Sequence, residues 1–199
     1  MREINLPISQ TFSMPLDVRV LNGDGKYTDA PLGTMVVDGK AWSEIEAARK
    51  NGGSILYATT SIERKIEGIL LDYFMGPFAR FDPKRNIFER EILKSSALSF
   101  NAKKELVVKV LTENELLPGK KKNTAQKYLK SIMDWRNAFA HGTIIHDSKR
   151  GCVLEYYSGH SRKLNLSDGY WDEVEISFKQ CESLLDEVSK RLSNIPPQA

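Results

Sequence analysis

The stretch WRNAFAHG, residues 135–142, closes a segment of helical periodicity and decides how the chain is interpreted. Apolar residues recur along this segment at steps of three and four, at Tyr128, Ile132, Trp135 and Phe139. The spacing predicts a helix with one buried face and places Arg136, Asn137 and His141 near its end. Arginine carries fixed positive charge and a donor fork suited to phosphate, and histidine exchanges a proton near neutral pH. Metal-free cleavage of a phosphodiester needs such groups, so RNA is the first substrate to consider.

Two further long helices are predicted, one on each side of this segment. Asn51-Gly52-Gly53 is expected to end a short helix over residues 42–50, and Ser54 then caps a long helix that Gly76-Pro77 stops. The inward positions of this long helix are Ile55, Thr59, Ile62, Ile66, Ile69 and Tyr73. The last helix has an unbroken apolar stripe, formed by Trp171, Val174, Phe178, Cys181, Leu185, Val188 and Leu192. A stripe of this kind is typical of a core or of a dimer interface.

Shorter elements lie between the long helices. Residues 86–98 and 101–113 are predicted as two helices, and their inward side chains are Phe88, Ile92, Leu106 and Val110. A loop is predicted from Pro118-Gly119 through Lys120, Lys121 and Lys122, after which Asn123 or Thr124 starts the helix that ends at His141. Gly142 is well placed to take the left-handed conformation that closes this helix.

The period then changes to that of β-strands. Residues 143–147, 152–157 and 163–166 are predicted as three short strands joined by turns. The first fifty residues alternate in short runs, near 18–20 and 35–37, which indicates hairpins or an irregular arm. The stretch from Asn22 to Asp29 superficially suggests a calcium loop, but it lacks the glycine and glutamate spacing of one, which favours a turn.

The composition suits one domain with an extension, or two small domains, in a chain of 199 residues. We interpret residues 54–194 as a mainly α, antiparallel helical bundle with a β meander at about 143–166. Residues 1–53 form a partly β N-terminal arm, and residues 195–199 form a tail. No apolar run approaches the roughly 20 residues of a membrane helix, and no signal peptide is recognised. We therefore expect a cytoplasmic protein without membrane partners.

The cysteines and histidines do not suggest a metal site. Cys152 and Cys181 have no metal-ligand spacing, and two buried thiols are the preferred interpretation over a disulfide. His141, His146 and His160 form no zinc signature with them, so no metal and no cofactor are expected. His146 and His160 fall in the meander and are expected on its surface.

Positive charge is concentrated in one part of the chain. The formal net charge is +3, whereas residues 101–150 alone carry six more basic than acidic side chains. Three of these are Lys120, Lys121 and Lys122, which on their own indicate only a solvated loop. Beside a phosphate site the same lysines would attract a polyanion, so they are candidate RNA-binding residues.

The motif and its position resemble the HEPN superfamily of helical domains. Arg136, four intervening residues and His141 match its arginine–histidine pattern, with the polar Asn137 directly after the arginine. The motif also ends the penultimate helix of a bundle that begins with a long helix. The resemblance covers residues 54–194 and leaves the first fifty residues unexplained.

The resemblance implies a four- to five-helix bundle that forms a homodimer, with two motifs facing each other. Active members are metal-independent endoribonucleases of prokaryotic toxin–antitoxin and antiphage systems, and Arg136, Asn137 and His141 would be the catalytic residues here. One subgroup carries a tyrosine two residues beyond the histidine, which a nucleotidyltransferase partner modifies. This chain has Thr143 at that position, which argues against that kind of antitoxin.

Alternatives remain open at this point. A histidine in a last helical turn is common for dipole reasons alone, and Arg136 can simply pair with Asp134 or with a neighbouring carboxylate. Asn137 and His141 lie four residues apart and share a helix face, so Asn137 is expected to orient the imidazole. Tyr156-Tyr157 either stacks on bases or points one ring inward and one outward. The alternative function is a non-catalytic module that binds RNA, a nucleotide or a protein partner.

Overall fold

The computed structural model describes residues 4, 6, 18–21, 27–28, 39–76, 82–147 and 149–194. Over these residues the chain is mainly helical with a small sheet, as predicted. The helices are α1 (Gly39–Met75), α2 (Pro83–Ile87), a π-helix (Phe88–Leu93), α3 (Phe100–Glu113), α4 (Gly119–His141) and α5 (Asp168–Ser193). The strands are β1 (Val18–Leu21), β2 (Tyr27–Thr28), β3 (Thr143–Asp147), β4 (Gly151–Tyr157) and β5 (Ser161–Asn165). Of the described helices, none is both long and apolar enough to span a membrane.

The chain divides into two compact units. The first comprises Met1–Ala58 with Asp134–Ile176 and contains the sheet, and the second comprises Thr59–Met133 with Ser177–Ala199. The division falls within α1, α4 and α5, each of which contributes to both units. Residue 53, where the sequence separates an arm from a bundle, lies inside α1.

The sheet contains the predicted meander and, beside it, two strands from the N-terminal part of the chain. Strands β3, β4 and β5 are consecutive antiparallel neighbours, which confirms the three predicted strands. The strand order is β2-β1-β3-β4-β5, with β1 antiparallel to β2 and parallel to β3. The N-terminal arm is therefore partly β, as expected, and its hairpin extends the meander. The strand signal at 35–37 and the turn at 22–26 lie outside the described residues.

Helix α1 contradicts the prediction of a break after residue 50. It continues without interruption from Gly39 to Met75, so Ser54 is not its cap and Asn51-Gly52-Gly53 lies in its interior. All three of these residues are buried, and the Asn51 side chain is 1% exposed. Asn51 Oδ1 accepts a hydrogen bond from the backbone N–H of Ile4 at 3.0 Å. Tertiary packing thus outweighs the helix-breaking tendency of two glycines, which costs about 1 kcal/mol each.

Residues 86–98, which were predicted to form one helix, also differ from the prediction. It consists of α2, the π-helix and a non-helical stretch up to Ser99, whose Oγ accepts from the backbone N–H of Ala102. A π-helix has i→i+5 hydrogen bonds, which shifts the buried face relative to an α-helical count. Leu93 is therefore fully buried, whereas Ile92, the predicted inward residue, is 41% exposed. The next helix, α3, matches the prediction and buries Val110, while Leu106 is half-buried.

The lysines lie at the start of α4 and not in a loop, which corrects the prediction. Helix α4 begins at Gly119, and the backbone N–H of Lys122 donates to Pro118 O at 3.0 Å. Lysine is a good helix former, so three in succession do not prevent the first turn from forming. The expected start at Asn123 or Thr124 is wrong by one turn.

Gly142 follows α4 but does not take the left-handed conformation expected of it. The described glycines with positive φ are Gly76, Gly151 and Gly159. A Cβ on Gly142 would lie 2.4 Å from Ala138 O and 2.7 Å from Leu154 Cδ1. Glycine is needed here because a side chain would clash with the last turn of α4 and with Leu154 of β4.

The predicted apolar stripes form the core. All seven stripe residues of α5 are buried, and so are Ile55, Thr59, Ile62, Ile66 and Ile69 of α1, while Tyr73 is half-buried. On α4, Ile132, Trp135 and Phe139 are buried as predicted, with Leu129 replacing the half-buried Tyr128. Cys152 and Cys181 are free and buried, as expected, and burial raises the pKa of each thiol to about 12.

Candidate functional site

The three motif side chains lie on the outer surface at the C-terminal end of α4. Arg136, Asn137 and His141 are exposed, whereas Trp135, Ala138 and Phe139 between them are buried. The apolar spacing explains this arrangement, because residues three and four apart share the buried face. Buried apolar side chains and exposed polar side chains are therefore interspersed along the last two turns of the helix.

Arg136 is not neutralised by a carboxylate. Its Nη1 donates a hydrogen bond to Asn137 Oδ1 at 3.0 Å, and no ion pair involves it among the described residues. The expected alternative, a pair with Asp134, is absent from this part of the chain. A guanidinium held by a neutral amide keeps its full charge available for an anion.

His141 is equally unpartnered in the described part of the chain. Its imidazole is exposed and makes no hydrogen bond there. The Asn137 amide oxygen, which was expected to orient the imidazole, accepts from Arg136. One protomer thus presents the charged guanidinium of Arg136 and the free imidazole of His141. The Asn137 amide is hydrogen-bonded to the guanidinium.

An aromatic cluster fixes the end of α4 within the first unit. The Phe139 and Trp171 ring centroids are 6.0 Å apart, and Tyr170 packs edge-on against Trp135 at 6.2 Å and against Trp171 at 4.9 Å. Burial raises the pKa of the Tyr170 hydroxyl. Tyr170 Oη and Trp171 Nε1 are buried without a hydrogen-bond partner among the described residues. The cluster packs the buried face of this helix end against the first turn of α5.

The β-meander begins directly beside this helix end. Strand β3 starts at Thr143, which pairs with Glu155 of β4. A Cβ on Gly142 would lie 3.0 Å from Glu155 O, so the last residues of α4 run close to the end of β4. The alternation of β4 leaves Tyr156 half-buried and Tyr157 75% exposed, which confirms the interpretation of one ring inward and one outward.

The candidate RNA-binding lysines belong to the other unit. Lys120, Lys121 and Lys122 start α4, whereas the motif ends it. Lys121 Nζ is paired with Glu187 Oε2 at 2.6 Å, and Glu187 also pairs with Arg191. Lys120 is exposed and Lys122 is half-buried. Neither unit by itself brings these lysines together with Arg136 and His141.

The other histidines differ from each other. His160 is exposed, as expected, but His146 is half-buried, and its Nε2 lies 3.2 Å from Glu44 Oε2 of α1. The surface prediction for His146 is wrong because alternation along β3 directs it to the helix-covered face of the sheet. The signal that could have found it is the strand period, since His146 has the same parity as the fully buried Ile144.

A groove in the second unit has a volume of about 640 Å³ and was not anticipated from the sequence. Its lining includes Glu63, Glu67 and Glu89, with Arg64 and Lys94 as the cations. Lys94 pairs with Glu89 at 2.5 Å. The carboxylates make this groove unsuitable for a phosphate-bearing ligand.

The described residues contain no group of three or more His, Cys, Asp or Glu side chains arranged to hold a metal ion. At the end of α4, an arginine and a histidine without carboxylate partners in the described part of the chain occur together on one helix. No protein-family model, no curated protein and no solved structure matches the chain.

Proposed function

We propose that this protein is a metal-independent endoribonuclease with a HEPN-like bundle, in which Arg136 and His141 form the catalytic site. The observation that carries the proposal is their exposure at the end of α4, with no carboxylate to neutralise the guanidinium in the described part of the chain. Both side chains are therefore accessible from solvent to a phosphate-bearing ligand.

The chemistry requires three functions. The RNA 2′-hydroxyl attacks the adjacent phosphorus and loses its proton to a base, while an acid protonates the departing 5′-oxygen. A cation stabilises the extra charge on the pentacovalent phosphorane. The P–O5′ bond breaks as the new P–O2′ bond forms, so the products are a 2′,3′-cyclic phosphate and a 5′-hydroxyl.

One chain supplies a single exposed imidazole beside Arg136, so the proposal includes a homodimer. Two copies related by a twofold axis provide two imidazoles and two guanidinium groups in one cleft. Asn137 then acts as a positioning residue for Arg136, because its amide oxygen accepts the guanidinium hydrogen bond. Lys120 and Lys122 would contribute to longer-range attraction of RNA, whereas Lys121 is already paired with Glu187.

The proposed setting is a cytoplasmic toxin or antiphage system. RNA is the substrate, and an antitoxin or defence-system protein is the expected partner. This part of the proposal depends on the motif and its place in the chain.

The test is RNA cleavage by purified protein in the presence of EDTA. His141→Ala and Arg136→Ala are each expected to reduce the rate at least about 100-fold, because each removes a group that acts in the transition state. Lys130→Ala removes an exposed cation from the same helix and is the matched control, with little change expected. Products ending in a 5′-phosphate, or activity lost in EDTA, would contradict the mechanism.

A non-catalytic module that binds RNA or a nucleotide is the second candidate. It is favoured by the unoriented imidazole, since the described residues provide no hydrogen bond that fixes the His141 ring. Expression in cells separates the two candidates. Growth arrest that His141→Ala abolishes supports the nuclease, whereas RNA binding without cleavage by either protein supports the module.

A further inference from the structure

The β4–β5 hairpin ends in an aromatic side chain that the fold does not use. Tyr157, the last residue of β4, is 75% exposed, the most exposed of the large hydrophobic side chains in the described chain. The preceding Tyr156 turns inward and is half-buried. An aromatic ring that remains in water at a strand end provides a flat apolar surface for a planar ligand.

The ladder places the strand that carries this ring beside the end of α4. Thr143, two residues after His141, pairs with Glu155, two residues before Tyr157, and the β3–β4 ladder ends at this pair. The close approach of Gly142 to Leu154 and Glu155 shows that the two chains stay adjacent at this point. The strand that carries Tyr157 therefore passes the end of α4, within the same unit.

Positive charge lies on the neighbouring strand. Arg162 pairs with Tyr156 in the β4–β5 ladder and is exposed, with no ion pair among the described residues. Lys163 is neutralised by Glu155, whereas His160 in the turn is exposed. Arg162 is on the sheet face that carries Leu154 and meets α4, and Tyr157 is on the other face, since side chains alternate.

We propose that the tip of the β4–β5 hairpin binds single-stranded RNA next to the motif, with Tyr157 stacking on a nucleobase and Arg162 contacting a phosphate. Bases and phosphates point in opposite directions from the sugars, which matches an aromatic ring and a cation on the two faces of one hairpin tip. Aromatic stacking combined with backbone cations is the general way in which single strands are held. This inference rests on the proposed function and names the residues that hold its substrate.

The experiment measures binding in the His141→Ala background, so that cleavage does not interfere. Fluorescence anisotropy with short labelled oligouridylate and oligoadenylate reports affinity. Tyr157→Ala is expected to weaken binding about tenfold, and Tyr157→Trp to retain it, because stacking contributes at this scale for each base. Ile176→Ala is the matched control, since Ile176 is 57% exposed in the same unit but lies on α5.

A spectroscopic signature separates stacking from a general surface effect. Emission from 2-aminopurine in the oligonucleotide is expected to change on binding to the parent but not to Tyr157→Leu, which keeps an apolar side chain without a ring. If the parent binds RNA and the Tyr157 variants show the same affinity and the same emission change as the parent, the proposed stacking of Tyr157 is overturned. The nuclease proposal is then unaffected. No binding of RNA by the parent or the wild type would overturn both.

Discussion

Gly142 shows how one missing side chain decides the geometry between the motif and the meander. The residue fits only because it lacks a Cβ, which would clash with the backbone oxygen of Ala138 and with Leu154. Neither contact is with the flexible tip of a long surface side chain. A Cβ at this position could therefore be accommodated only if the helix end or β4 moved. The spacing between His141 and the strand that carries Tyr157 therefore depends on glycine at this position.

Gly142→Ala is expected to lower the free energy of unfolding by about 1–3 kcal/mol, the usual effect of an extra methyl group in a tightly packed place. Urea denaturation followed by circular dichroism measures it. Gly169→Ala is the control, because its Cβ would meet nothing nearer than Ser167 Oγ at 4.0 Å. Equal stability of the two variants would mean that the approach of β4 is not as close as described.

At the scale of elements, α1 and α3 are joined in the second unit by a buried ion pair. Lys103 is 4% exposed, and its Nζ donates to Glu63 Oε1 at 2.6 Å and to Glu67 Oε1 at 2.5 Å. Desolvation alone would lower the pKa of Lys103, but its hydrogen bonds to the two carboxylates raise it above the ordinary value of 10.5. The pair thus links a helix of unusual length to its neighbour.

The raised pKa of Lys103 predicts alkaline sensitivity. The stabilisation is fully present below 10.5 and is lost as the pH rises through the higher folded-state pKa, because the unfolded chain then loses its proton first. Lys103→Ala leaves the carboxylates without their partner and is expected to cost about 3 kcal/mol. The urea concentration at the midpoint of unfolding, measured from neutral pH to above 10.5, tests both the alkaline sensitivity and the cost of Lys103→Ala. Lys109→Ala, at an exposed site on α3, is the control. An unchanged midpoint for Lys103→Ala would contradict the prediction.

Sequence periodicity predicted elements well where one face of an element is uniformly apolar. The α5 stripe and the three meander strands are examples, because burial of a regular face fixes both the period and the register. It failed at Asn51-Gly52-Gly53, because the burial of these residues depends on distant parts of the chain. It also failed at the π-helix, because no pattern in the local sequence distinguishes i→i+5 hydrogen bonds from those of an α-helix.

The contacts among the candidate site residues were not predicted correctly from the sequence. Arg136, Asn137 and His141 are exposed at a helix end, as the apolar spacing implied. The choice of Asn137 as the partner of Arg136 depends on side-chain rotamers, which spacing does not specify. The passage of β4 beside the end of α4, two residues before Tyr157, required the ladder register, which only the folded strands provide.

At the scale of the whole molecule, the proposal requires two chains for one site. The cleavage rate per chain is therefore expected to fall on dilution, once the concentration drops below that at which light scattering detects a dimer. The comparison needs only the wild-type protein and a fixed RNA concentration. A rate per chain that stays constant in the range where scattering reports monomers would show that one protomer is sufficient.

The parallel pairing of β1 with β3 sets an order of events during biosynthesis. Val18 pairs with Ile144, so the two partners leave the ribosome more than a hundred residues apart. Throughout the intervening translation the early strand has no neighbour on that side, and the contact forms only after most of the polypeptide has been made. Closure of the sheet is consequently a late, long-range step, of the kind that slows folding and benefits from chaperone protection.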